Sequence, residues 1–296
     1  MAQFQAIGYI HLVIVFGQDH IFVKEKVMPK YRQEDTMQAL KRDWGTTHLR
    51  ATGGEGVALV FINSLGTDLR MWDDVVALLP AGWSNLRMDK RGHGLSSTAP
   101  QGYGIPELAE DVLAAMDHIG LARAVIVGCS IGGLIAQHIA LMAPDRVIGL
   151  VLSNTAPMLG NADSWLSRIE GVRANGMAAM ADGILQRWFG PEMLASLETD
   201  LWRALLTRTD TEGYIATCAA IAGTDITGRL GEITQPALVI GGYHDQATPP
   251  DVVEKLAAAL PRSDFVMFDR SGHLPAVEQP KVFAHTLMNF VERIIP

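Results

Sequence analysis

Cysteine is nearly absent from this chain. Two residues in 296, Cys129 and Cys218, cannot build the cross-linked framework of a small secreted domain, and neither falls in a C-x-x-C pair or at a zinc-ligand spacing. No metal is expected, and a reducing cytoplasm is the compartment that fits. Charge is sparse as well. Only 19% of residues are charged and the net charge is −8, which argues against a nucleic-acid surface or an anionic membrane as the main partner. A small anionic ligand held by local arginines remains open. The apolar stretch at residues 7–16 is too short to span a bilayer. The six residues before it carry no Lys or Arg, so neither a membrane anchor nor a signal peptide is expected. No P-loop, GxGxxG or metal-ligand cluster occurs, and no cofactor is expected.

Apolar residues are plentiful, at 48%, ample for one large α/β domain with room for an insertion. Residues 1–36 stand apart. An apolar patch gives way to Lys24, Glu25, Lys26, Pro29, Lys30 and Arg32 with no clear period. The segment reads as a loosely attached extension, or as sequence upstream of a true start at Met37, rather than as a targeting or docking element. From Met37 onward strands and helices alternate. Residues 46–51 read as an early hairpin strand, and residues 58–62 and 86–89 as strands. Trp72, Val75, Val76 and Leu79 recur at helical spacing up to Pro80, and Leu108, Val112, Met116 and Ile119 mark an amphipathic helix closed by Gly120. Residues 124–127 and 147–152 are further strands, with a helix from Ile131 between them. This order demands a parallel sheet with helices on both faces.

Between residues 156 and 225 that rhythm stops. Helical patterns cover 165–172, 177–189, 193–207 and 214–222, with no strand-like run, and an all-helical insertion of this size reads as a cap over the strand ends. Met158, Met177, Met180, Met193, Trp165 and Trp188 are candidates to line a pocket beneath it; simple cap core is the plainer alternative. The α/β rhythm resumes with a strand at 237–242, a helix at 250–260, a strand at 264–268 and a final amphipathic helix at 280–294. The expected organisation is an α/β core of residues 37–155 and 226–296 carrying a helical cap of residues 156–225.

One stretch organises the rest. The β-branched run Val125-Ile126-Val127 stops at Gly128, and after Cys129-Ser130 a helix-compatible run begins at Ile131. Strand, tight turn and helix, with Gly128-x-Ser130-x-Gly132 at the corner, hold a serine in a strained conformation with its hydroxyl exposed at the carboxyl edge of a sheet. Three fixed positions arise by chance in roughly one chain in ten of this length, so the case rests on partners. A serine hydroxyl needs a base, and the base needs an acid to hold its tautomer. Asp245 follows the strand ending at Gly242 and His273 the strand ending at Phe268, in the chain order Ser, acid, His that this topology uses. Both occupy loops at carboxyl ends of strands, where ligands bind in such sheets. Asn154, after the strand ending at Leu152, sits where an acid could also come from, but an amide cannot carry the charge. His138 reads as core, His244 as pointing away, and His93 as bracing the elbow by hydrogen bonding. The two oxyanion donors this chemistry requires are expected from the backbone N–H of Ile131, at the start of the following helix, and from that of Leu65, in the loop after residues 58–62.

At this point the residues resemble a known family. The stretches Asn63-Ser64-Leu65-Gly66-Thr67-Asp68-Leu69-Arg70-Met71-Trp72 and Asp89-Lys90-Arg91-Gly92-His93-Gly94-Leu95-Ser96 carry the resemblance. Cap segments at 172–182, Arg187-Trp188-Phe189 and 212–221 add to it. The α/β-hydrolase fold is implied across residues 37–296: a mostly parallel central sheet with helices on both faces and a helical cap insertion. Within that fold the chain resembles the 3-oxoadipate enol-lactonases of bacterial aromatic-acid catabolism. The family position before the nucleophile is often Leu and is Cys129 here, while residues 1–36 have no counterpart.

The resemblance implies a carboxylic-ester hydrolase that opens a small anionic enol-lactone with water to give 3-oxoadipate. His273 would deprotonate Ser130, Ser130 would attack the lactone carbonyl, and water would then free the acyl group; direct attack by water with His273 as base is the alternative. The substrate carboxylate calls for a cation in the pocket, with Arg187, beside Trp188, the first candidate and Arg173 the second. A general carboxylesterase or a cofactor-free perhydrolase on the same fold is the rival enzyme reading. A non-catalytic ligand receptor is the rival from another class, and it requires a degraded Ser, Asp and His set.

Overall fold

The computed structural model describes residues 12–16, 21–25 and 35–295. Strands β1 (Leu12–Phe16) and β2 (Ile21–Glu25) pair antiparallel as a separate two-stranded sheet. That hairpin falls inside the segment read from the sequence as an extension without pattern. The rest of residues 1–34 lies outside the described residues. Regular core structure starts at Thr36, inside the expected extension.

The main sheet has eight strands: β3 (Thr36–Arg42), β4 (Gly45–Thr52), β5 (Ala58–Ile62), β6 (Ser84–Met88), β7 (Ala124–Cys129), β8 (Val147–Ser153), β9 (Ala237–Gly242) and β10 (Ser263–Phe268). They lie side by side in the order β10-β9-β8-β7-β5-β6-β4-β3. The six strands from β5 to β10 are mutually parallel, β4 runs antiparallel to β6, and β3 antiparallel to β4. Strands β5, β7 and β9 are buried along their whole length, because helices cover both faces; that is why they read as unbroken apolar runs. The sequence reading does not find β3, an edge strand that is exposed or half-buried throughout and carries Gln38, Lys41 and Arg42.

Helices α1 (Asp73–Ala77), α2 (Ile105–His118) and α3 (Ile131–Met142) belong to the first half of the core. A 3₁₀ turn at Leu69–Trp72 precedes α1. The cap comprises α4 (Ala162–Trp188), α5 (Pro191–Leu194), α6 (Glu198–Thr207) and α7 (Thr211–Ala222), after which α8 (Pro250–Ala259), α9 (Pro275–Glu278) and α10 (Pro280–Ile294) complete the core. The two cap helices expected at 165–172 and 177–189 are halves of α4, which breaks at Gly176 (φ 73°, ψ 169°). Among the described residues no helix is long and apolar enough to cross a membrane.

Topology positions the site. From β5 the chain passes to β6 on one side, then crosses back to β7 on the other. The segments leaving β5 and β7 therefore depart in opposite directions and open a crevice at the carboxyl edge, the place where parallel α/β sheets bind ligands. Two glycines let the backbones close on it. A Cβ on Gly132 would lie 2.0 Å from the Ile62 carbonyl oxygen, and one on Gly128 would lie 2.2 Å from the Gly132 carbonyl oxygen. Gly132→Ala is expected to cost about 1–3 kcal/mol or more, since backbone rather than a flexible side chain must yield. Gly183→Ala, on a helix position with nothing within 4 Å, should instead stabilise by about 0.5–1 kcal/mol. Urea unfolding of both variants checks this; equal stabilities would refute the close-approach argument.

Candidate active site

Ser130 has φ 57° and ψ −121°, a conformation L-residues rarely adopt. Its backbone leaves no alternative. The Ser130 N–H donates to Ser153 O (2.9 Å), while its carbonyl accepts from Thr155 Oγ1 (2.6 Å), Gly133 N (2.9 Å) and Leu134 N (3.1 Å). The turn is thus tied to the end of β8 on one side and to the first turn of α3 on the other. The Ser130 side chain faces a cavity that His273 also lines.

Asp245 and His273 meet behind it. His273 Nδ1 lies 2.8 Å from Asp245 Oδ2. With Nδ1 donating to the carboxylate, Nε2 is left as the acceptor. The other three donors to Asp245 are Asn154 Nδ2 (2.9 Å, to Oδ2) and the N–H groups of Ala247 (2.7 Å) and Thr248 (2.9 Å), both to Oδ1. Four donors fill the carboxylate's acceptor positions and fix its plane. Asn154, set aside in the sequence reading as a failed acid, is therefore a support for the acid. It is the other non-glycine residue at positive φ (49°) among those described, and its amide also donates to Gly272 O (3.1 Å).

The His273 main chain is pinned from two sides. Its N–H donates to Trp188 O at the end of α4 (2.6 Å), and its carbonyl accepts from the Cys129 thiol (3.4 Å). Glu278 adds a clamp that sequence reasoning misses: Oε1 accepts from Gly272 N and Oε2 from Gly190 N, both at 2.7 Å. Burial is the largest influence on Glu278 and pushes its carboxyl up to about 7, against the downward pull of these N–H donors.

Leu65 lines the cavity with Ser130, Ile131 follows Ser130 directly as the first residue of α3, and among the described residues neither backbone N–H donates to a protein acceptor. The Ile131 amide opens α3, where first-turn N–H groups have no intrahelical partner. His93 differs from expectation. Its Nδ1 bonds to Arg91 O (3.0 Å) in its own loop, so it braces that loop and not the elbow. Burial, helped by the Lys90 charge, lowers its pKa to about 3 and keeps it neutral. His138 is buried in α3 with Nδ1 on Leu134 O (3.1 Å), and half-buried His244 does not line the cavity.

Above Ser130 the cavity is lined by Trp165, Arg168, Ile184, Arg187, Trp188 and Tyr214 of the cap. Arg187 is there as expected, as are both tryptophans. Arg173 is exposed and does not line the cavity; the second cation is Arg168. Helical periodicity explains the correction. Trp165 and Arg168 are three apart and share a face, whereas Arg173 is five beyond Arg168, rotated by about 140°. Trp165, already singled out, was the signal that could have found Arg168. Its guanidinium donates to Tyr214 Oη (3.2 Å) and sits 5.5 Å from the centre of the Trp165 ring. Burial first, then the Arg168 charge, pulls the Arg187 pKa down. Neither guanidinium is paired with a carboxylate among the described residues. Of the methionine candidates none lines this cavity: Met177 and Met193 are buried in the cap, Met180 packs partly buried against the core, and Met158 is exposed.

This fold, with a serine on a strained turn at the switch point of a parallel sheet, defines a class. Residues 57–280 match the model of the alpha/beta hydrolase fold family. The chain is similar to 3-oxoadipate enol-lactonase 2 of Acinetobacter baylyi, with 33% identity covering 90% of this chain and 99% of that protein. The 3-oxoadipate enol-lactonase 1 of the same organism is 32% identical, covering 86% and 96%. Among solved structures, an enol-lactonase from Burkholderia xenovorans superposes with a TM-score of 0.83 at 35% identity, covering 86% of this chain and all of that one. The chain belongs to the α/β-hydrolase fold family and, within it, to the 3-oxoadipate enol-lactonases.

The Glu278 clamp carries a pH signature. Its folded-state pKa of about 7 lies above the ordinary 4.5, so the folded protein holds this proton more tightly than the unfolded chain does. The associated stabilisation is complete below the unfolded value and is lost as the pH rises through the folded one. Glu278→Gln cannot titrate. The thermal stability of wild type relative to this variant is expected to fall between about pH 5 and about pH 8; parallel curves for the two proteins would refute the assignment.

Proposed function

We propose that the protein is a serine-dependent lactonase that opens 3-oxoadipate enol-lactone with water to give 3-oxoadipate. The observation that carries this reading is the pair of guanidiniums, Arg168 and Arg187, in the same cavity as Ser130 and His273 and without carboxylate partners among the described residues. A neutral ester gains nothing from them, whereas a lactone bearing a free carboxylate does. The family relatives whose names specify this lactone support the same choice.

In this reading Ser130 Oγ attacks the lactone carbonyl carbon and its proton passes to His273 Nε2. Asp245 holds the imidazole by Nδ1 and balances the imidazolium charge. The carbonyl oxygen becomes an oxyanion facing the N–H groups of Leu65 and Ile131. As the carbonyl re-forms, the bond to the ring oxygen breaks and His273 returns the proton to the departing enol, which becomes the ketone. Water then attacks the acyl-enzyme, giving its proton to His273 and, on collapse, restoring Ser130. Arg168 and Arg187 hold the substrate carboxylate throughout, which places the scissile carbonyl over Ser130 instead of leaving it to diffuse in any orientation. The free thiols of Cys129 and Cys218, both buried, suit a reducing compartment.

Ser130→Ala is expected to lower turnover of the enol-lactone at least about 10³-fold while leaving the fold intact. The check is loss of the lactone absorbance with purified protein, alongside circular dichroism. A variant retaining more than a few per cent of activity would sink the nucleophile assignment. Arg168→Met is expected to raise KM for the lactone about tenfold or more and to change kcat/KM for a neutral aryl ester by less than about threefold. Equal losses on both substrates would count against a carboxylate site and favour a general esterase.

A further inference from the structure

Lys90 is a lysine the mechanism above does not use. It is 3% exposed, and no carboxylate lies within ion-pair distance of it among the described residues. Its ammonium donates to two backbone carbonyls, Ser64 O (2.9 Å) and Asn63 O (3.0 Å). Nearby acids are committed elsewhere: Asp89 accepts from His48 Nδ1, Leu69 N and Leu95 N, and Asp68 is paired with Arg70. Burial pushes the Lys90 ammonium down to about 7, with the charges of Asp89 and Asp68 acting in the opposite sense. A cation held out of water with only carbonyl partners is an expensive arrangement, and the carbonyls it grips are informative.

Ser64 C=O and Leu65 N–H belong to one peptide group. In a trans peptide the two bonds point in opposite directions, so whatever holds the oxygen aims the N–H. Thr67 N (3.3 Å) and Thr67 Oγ1 (2.9 Å) also donate to the Ser64 oxygen, so three donors converge on it. A cationic donor on the oxygen further polarises the amide and strengthens its N–H as a donor. Ser64 and Leu65 line the cavity with Ser130, and Lys90 does not. We propose that Lys90 is a positioning residue for hydrolysis: its ammonium fixes and polarises the Ser64–Leu65 peptide so that the Leu65 N–H meets the oxyanion. This inference rests on the reading of Leu65 as an oxyanion donor.

Lys90→Met keeps the side-chain length and removes the charge. The expected result is a fall in kcat of about 10- to 100-fold, with KM changed less than twofold and cooperative unfolding retained. The decisive readout compares the carbonyl and thionocarbonyl forms of one ester substrate, because sulfur is a poor acceptor in a hole built for oxygen. Wild type should prefer the carbonyl form strongly, and Lys90→Met should lose much of that preference. A variant with wild-type kcat, or with reduced kcat and an undiminished preference, overturns the role of Lys90 and leaves the oxyanion reading standing. A wild type without any preference overturns the oxyanion reading and this inference with it. Should Lys90→Met fail to fold, Lys90→Gln, which keeps a donor without the charge, carries the same comparison.

Discussion

Everything at the carboxyl edge of the sheet depends on how near the first turn of α3 stands to the end of β5. Gly132 lies against the carbonyl of Ile62 with no room for a single methyl group, and Gly128 lies equally close to Gly132. That approach sets the first turn of α3, which begins with Ile131, against the start of the loop that carries Leu65, though the two come from strands whose exits diverge. It also explains why Ser130 keeps an unfavourable backbone conformation. Strain of this kind, of order 1–3 kcal/mol, persists where the surroundings over-determine the residue, and four hydrogen bonds to Ser130 backbone atoms do so.

The other half of the site solves a different problem, since no local turn can deliver a histidine and an acid to that serine. Asp245 is oriented by Asn154 from the end of β8 and by the amides of the turn that follows it. His273 is held by Cys129 from the elbow and by Trp188 from the cap. The cap is consequently more than a roof over the cavity. The end of α4 supplies a backbone acceptor to His273, and Gly190 shares Glu278 with Gly272. At its far side, Gly213 of α7 meets Gly92, a residue at φ 67°, so closely that neither tolerates a Cβ. The cap residues that line the cavity above Ser130 and those that orient His273 are thereby parts of one packed unit.

How much of this is legible in the sequence follows from where each signal originates. Buried parallel strands announce themselves because both faces are apolar, and Ser130, Asp245 and His273 are recognisable because strand ends and chain order constrain them. Strand β3 is invisible for the opposite reason: on a solvated edge its composition is that of a loop. The kink at Gly176 is legible only as a gap between two helical patterns. Arg168 is missed in favour of Arg173 because its one local signal is the helix face it shares with Trp165, three residues earlier. Asn154 and Glu278 do their work through hydrogen bonds to residues 91 and 88 positions away, and no local pattern encodes such pairings.

The loop after β6 shows how densely the fold uses such residues. Asp89, Lys90 and Arg91 are consecutive, ionisable and buried, a combination that composition alone would place at the surface. Each turns to a different neighbour. Asp89 gathers His48 and the amides of Leu69 and Leu95; Arg91 reaches Asp111 and packs between Trp44 and Tyr103; Lys90 grips the carbonyls of residues 63 and 64. Arg91 is paired with a carboxylate, Asp89 is satisfied by hydrogen-bond donors, and Lys90 alone is spent on backbone carbonyls, in the loop that lines the cavity with Ser130. In a chain of net charge −8, the result is a site approached by cations from two directions: Lys90 from below through a peptide group, Arg168 and Arg187 from above through the cavity. The acid Asp245 sits behind His273 with its acceptors filled. A substrate that carries a carboxylate at one end and develops an oxyanion at the other matches that distribution at both ends.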